Sequence, residues 1–281
     1  MRSGPVPVVK RPKRLHGKFC VGAGSSRPYM FMNYPNYSYP PHNIAGLVRD
    51  VILSRHRAFR DDAIACIGKL SPPLRILGKE NIPQSGPCVV TVNHYCHPGF
   101  AAQWLSLAIA AAVPVDMHWI MTGELTFPGR WYAPVGMFLS RFLLHRIAEV
   151  YGFTAMPPMP PRQKDVIERA AAVRKVLDVM RHTQDPIIGL APEGGDSTDG
   201  RLARPASGLG RFGLLLSNAG LKFIPVGAYE ADGIFTVHFG EAYELNVARD
   251  LSAGEKDAQA AKVMMENIAR LLPAELRGEF A

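Results

Sequence analysis

The stretch Asn93-His94-Tyr95-Cys96-His97-Pro98-Gly99 places two imidazoles and a thiol within four positions. An imidazole titrates at about pH 6.5, so His94 can take a proton from a hydroxyl at neutral pH and act as a general base. Cys96, between two histidines, could become a nucleophile if its thiolate were stabilised. A metal would need three or four ligands from more than one segment at a recognisable spacing, and the sequence offers no such set, so no metal is expected. A second polar loop, Pro192-Glu193-Gly194-Gly195-Asp196-Ser197, supplies two carboxylates. The letters of Gly208-Leu209-Gly210-Arg211-Phe212-Gly213 match the dinucleotide fingerprint, but that fingerprint must follow a strand directly and this one does not, so it reads as helix packing.

Each polar loop follows an apolar run. Cys88-Val89-Val90-Thr91-Val92 delivers His94, and Ile187-Ile188-Gly189-Leu190-Ala191 delivers Glu193. Such runs fit strands buried on both faces, and in open α/β sheets ligands bind beyond the carboxyl ends of the strands. The two loops are therefore expected to face one pocket. Further strands are expected at 74–77, 117–121, 147–154, 223–228 and 234–239.

Helices are expected between these strands. Ile44 to Leu70 shows helical spacing in one piece or two and is stopped by Ser71-Pro72-Pro73, while Pro98 can open a helix through Ala112. The segment 129–145 reads as two helical pieces split near Pro134. Val166, Ala170, Val173, Leu177 and Met180 put one apolar stripe on a helix over 162–182. Helices follow at 207–218 and 254–272. Strands alternating with helices predict an α/β fold, a mainly parallel central sheet flanked by helices. An N-terminal helical segment and a basic, Tyr/Pro-rich tail over 1–43 precede it, and 44–281 forms the single α/β domain.

In order and spacing, Asn93-His94 after its strand, Pro192-Glu193-Gly194, Gly200-Arg201-Leu202 and Ile224-Pro225-Val226 resemble the blocks of the glycerolipid acyltransferases, the family that includes lysophosphatidate acyltransferase. The approach Leu77 to Pro87 resembles the same family, and the likeness spans roughly residues 74–240. It implies that His94 is the base that activates an acceptor hydroxyl for attack on an acyl thioester, carried by coenzyme A or acyl carrier protein as co-substrate, with no other cofactor. It also implies that Asn93, Gly99, Pro192, Glu193, Gly194 and Gly195 shape the acceptor site.

The sequence departs from that family in three places. Gly99 stands where the family has an Asp five residues after its histidine, an acid that would hold the imidazole's tautomer. Asp116, Glu124, Glu193 and Asp196 are the candidates to replace it. Gly195-Asp196-Ser197 stands where the family has Thr-Arg-Ser, and near residue 154 the nearest match to a further family arginine is Arg162. A carboxylate in place of a guanidinium repels phosphate, which argues against a glycerol-phosphate acceptor. The expectation is acyl transfer to a hydroxyl of a lipid-like acceptor; the alternative is a non-catalytic lipid-binding protein on the same fold.

Charge is concentrated at one end. Residues 1–49 contain eight Lys and Arg and no Asp or Glu, and since the whole chain is also +8, the remainder sums to zero. This basic, aromatic-rich segment suits the anionic face of a membrane, where each cation contributes about 1 kcal/mol. Nucleic acid is not expected as a partner, because nothing else is basic as a block. Cys20, Cys66, Cys88 and Cys96 show no paired spacing, which points to a reducing, cytoplasmic compartment. The N-terminus does not read as a cleaved signal peptide, and the longest apolar run, Phe100 to Val115, is too short to span a bilayer. Any membrane contact is expected to be peripheral, on the inner face.

Overall fold

The computed structural model describes residues 35–281 apart from positions 98, 128, 160, 161, 196 and 198. The expected membrane contact of the basic tail, Cys20 and the candidate acid Asp196 lie outside the described residues. The chain runs α1 (Pro41–Leu53), α2 (Phe59–Ile67), β1 (Arg75–Leu77), β2 (Cys88–Val92), α3 (Gln103–Ala112), β3 (His118–Thr122), α4 (Ala133–Val150) and β4 (Thr154–Met156). It continues through α5 (Val166–His182), β5 (Ile187–Leu190), α6 (Leu209–Asn218), β6 (Lys222–Ala231), β7 (Ile234–Phe239) and α7 (Ala253–Ala269).

The strands form one sheet in the order β1-β7-β6-β2-β5-β3-β4. Every neighbouring pair is parallel except β6 and β7. Those two make a hairpin through Asp232 and Gly233, both with positive φ, as a two-residue turn matched to strand twist requires. The fold is thus the expected mainly parallel sheet flanked by helices.

Burial on both faces explains the apolar runs. All of β2 and β5 is buried. Cys88, Val90 and Val92 join a core with Trp104, Ile109 and Phe235, while Val89 packs on the other face with Ile188, Leu216 and Met264. This alternation follows from the two-residue period of a strand. Gly189 lies against the Trp119 ring, so close that a Cβ there would meet it at 2.4 Å.

Three expectations need correction. The segment 129–145 is not two helical pieces; α4 is one helix that accommodates Pro134 in its first turn, where no amide partner is lost. The strand expected over 147–154 shrinks to Thr154–Met156, because Ile147 to Val150 complete α4. Gly152, at φ +69°, closes that helix: its amide reaches the Glu149 carbonyl and the Phe153 amide reaches Ala148 at 2.7 Å, the paired bonds of a left-handed C-terminal cap. Finally, α3 starts at Gln103 rather than near Pro98.

Residues 44–70 resolve into two helices broken at Ser54, which has φ +54°. Arg57 spans the break, bonding Asp50 at 3.1 Å and Asp62, and the Tyr151 hydroxyl also donates to Asp62 at 2.7 Å. The two helices and the end of α4 are thereby held together. The chain just before α1 also belongs to the packed body, with Tyr37 against Phe100 and Trp104 and Tyr39 stacked on Trp104.

Candidate active site

Because β2, β5, β3 and β6 run the same way, the loops that leave them share one edge of the sheet. Asn93 ends β2 with a side chain that behaves like one more rung of the ladder. Its Nδ2 donates to the Ala228 carbonyl at 2.9 Å, and its Oδ1 accepts from the Ala228 amide at 2.7 Å. The next residue, His94, is thereby placed just past the strand end with little freedom in its main chain.

Glu193 fixes that main chain from the second loop. Its buried carboxylate accepts from the His94 amide at 2.5 Å and from the Ala203 amide at 2.7 Å. One side chain thus joins three stretches of chain. The Cys96 thiol donates to the Ser197 carbonyl at 3.5 Å, and Gly200 approaches the Cys96 carbonyl so closely that a Cβ would lie 3.0 Å away. The two loops anticipated to face one pocket are thus bound to each other. Pro192 is buried beside Glu193; Gly194, at φ +71°, is exposed and lies against Met159; Gly195 is half-buried.

A second carboxylate, Glu230 near the end of β6, has its side chain 1% exposed. His97 Nε2 lies 2.5 Å from it, the Tyr95 hydroxyl donates at 3.3 Å, and the Tyr37 hydroxyl donates to its other oxygen. Phe100 packs its ring against Tyr37, Tyr95 and His97, giving the cluster an apolar wall. Sequence reasoning missed Glu230 and Tyr37. The available signal was a charged residue inside the otherwise buried run Phe223 to Ala231.

The candidates to replace the family's Asp fare differently. Asp116 is exposed and precedes β3, at the opposite edge of the sheet. Glu124 is tied to Arg162 at 2.6 Å and approaches Arg141 at 3.7 Å. Glu193 meets His94 through its backbone amide. On the same loop, the His97 imidazole meets the Glu230 carboxylate. Gly99 itself is exposed at φ +99°, with nothing within 4 Å of where a Cβ would be.

Arg162 is at the site's edge of the sheet but is engaged by two acids. It bonds Glu124 and also Asp165, whose carboxyl it holds below the usual range. Arg169 donates to the Pro157 and Pro158 carbonyls at 3.2 and 3.0 Å, fixing the link after β4. The glycines at 208, 210 and 213 serve packing, as anticipated. A Cβ on Gly210 would fall 1.9 Å from the Asp257 carbonyl, and the Asp257 carboxylate accepts from the Gly208 and Arg211 amides at the start of α6. That helix N-terminus therefore already has its anion.

An open, mostly parallel sheet that gathers its polar loops beyond the strand ends defines an α/β protein of the kind whose chemistry lies at that edge. More particularly, the chain belongs to the Acyltransferase family, whose model matches residues 73–228, more than half of its length. No curated protein sequence matches the chain. Among solved structures, the crystal structure of the 1-acyl-sn-glycerophosphate (LPA) acyltransferase PlsC from Thermotoga maritima is similar over 85% of this chain and 90% of that one, at 15% identity and a TM-score of 0.47. Family membership supports acyl transfer as the class of reaction. Among the described residues, no helix is long and apolar enough to cross a membrane.

Proposed function

We propose that this protein transfers a fatty acyl group from a thioester, acyl-CoA or acyl carrier protein, to a hydroxyl of a lipid-like acceptor presented from a membrane surface. His94 takes the hydroxyl proton as the oxygen attacks the thioester carbonyl, and the tetrahedral intermediate collapses by releasing the donor thiol. The observation that carries this reading is the binding of the His94 loop to the Glu193 loop at the carboxyl edge of the sheet, in a chain of the Acyltransferase family. Asn93, Pro192, Glu193, Gly194 and Gly195 act by shaping that edge, and Gly99 leaves it open. The pairing of Arg162 with Glu124 and Asp165 favours an acceptor without a phosphate.

One observation favours a second assignment on the same reaction. His97 has a buried carboxylate at its ring, the arrangement that steadies a catalytic imidazole, so His97 is the competing base.

The test is thiol release from acyl thioesters over a panel of glycerolipid, lysolipid and amine acceptors. His94→Ala is expected to lower acceptor-dependent turnover by about 10²- to 10⁴-fold, the range for a general base. Survival of turnover in that variant with loss in His97→Ala would transfer the role to His97. A folded wild-type protein that binds lipid yet turns over no acceptor would leave the non-catalytic lipid-binding reading.

A further inference from the structure

α4 turns an apolar face to solvent. Phe138 is 76% exposed, with Phe142 one turn along and Leu139 beside them also exposed, and Trp131, just ahead of the helix, is 92% exposed. α1 lies against α4, with Arg146 donating to the Val51 carbonyl at 3.0 Å, and it too exposes apolar residues at four-residue spacing, Val48 and Ile52. Exposed aromatic and aliphatic groups in such a concentration mark an interaction surface.

Position and charge identify what that surface meets. Trp131 follows β3, so the head of α4 sits at the same edge of the sheet as His94. The 34 residues before the described chain carry seven Lys and Arg and no acid, and they join the body a few residues before α1. A second copy of the chain would bring the same positive charge to the contact and be repelled. A bilayer containing anionic lipid offers the opposite charge together with an apolar layer for the ring faces.

We infer that the α4 face with Trp131, flanked by α1, docks on an anionic membrane surface and turns the His94 edge of the sheet toward the lipid. The inference extends the proposed function, but its test reads binding without turnover, so either can fail alone.

Tryptophan emission makes the experiment specific to the face. The chain has three tryptophans, and Trp104 and Trp119 are buried in the core. The full-length protein is mixed with vesicles of phosphatidylcholine alone or with about one-third phosphatidylglycerol, and both sedimentation and emission are followed. The expected result is co-sedimentation with the anionic vesicles and a blue shift that disappears in Trp131→Phe. The variant Phe138→Asp/Phe142→Asp, checked for folding by circular dichroism, is expected to bind at least about tenfold more weakly. Vesicle binding with no shift of Trp131 would assign the membrane contact to the basic segment alone and overturn the inference. Failure to bind vesicles would overturn it as well, as would a concentration-dependent dimer that the double variant dissolves. If the double variant does not fold, the Trp131 shift still decides.

Discussion

Glu193 and Glu230 are both buried carboxylates beside the same histidine-bearing loop, yet they do different work. Glu193 accepts from two backbone amides, so it fixes the path of the chain whatever side chain stands at 94 or 203. Glu230 accepts from two tyrosine hydroxyls and lies 2.5 Å from the His97 imidazole, so its neighbours are side chains rather than the backbone. A carboxylate that stands in a family block can thus brace the backbone, while a second one reaches the same loop from the far end of β6.

Substitution should separate the two roles. Glu193→Ala leaves two part-buried amides without this acceptor and loosens the loops from each other, so a loss of roughly 2–4 kcal/mol in urea unfolding is expected. A loss below about 1 kcal/mol would mean that the loops hold together without it.

Acid unfolding sharpens the comparison by showing what a buried imidazole does when its neighbour is a hydroxyl. His118 meets the Thr154 hydroxyl at 2.8 Å, and burial pushes its pKa down to about 4. The unfolded chain binds a proton on this residue near pH 6.5 that the folded chain refuses until about pH 4. Its stabilising contribution is therefore complete above pH 6.5 and falls away toward pH 4, by on the order of 3 kcal/mol. His118→Gln should flatten stability across that window. A slope that persists in the variant would place the acid sensitivity on the carboxylate-braced loops instead.

Smallest in stability but most telling is Glu230→Gln, which keeps the volume and an acceptor for the tyrosines. Unfolding free energy should drop by only about 1 kcal/mol, while acceptor-dependent thiol release falls roughly tenfold or more. Equal, small changes in both would make the cluster a core brace like Glu193.

Where the sequence carried a continuous apolar run, the structure was legible from it: β2 lies over 88–92 as expected, β5 is one residue shorter, and the polar loops behind them meet. Ile147 to Val150 misled because a short stretch with β-branched residues at its two ends reads the same at the end of a helix as in a strand; the Gly152 cap decided it. Glu193 was findable by its loop. Glu230 showed only as a charged residue in an apolar run, and its meeting with His97, more than a hundred residues away, depends on β6 lying beside β2, a pairing that local periodicity does not specify. Tyr37, read with the tail, is a donor to that same carboxylate.

Gly99 has a practical consequence for anyone wishing to rebuild the family's dyad. A Cβ there would meet nothing within 4 Å, but its φ of +99° is one that L-amino acids resist by on the order of 1–2 kcal/mol. The carboxylate cannot be grafted back as a point change and be expected to aim at His94. The turn itself would have to be redesigned around it.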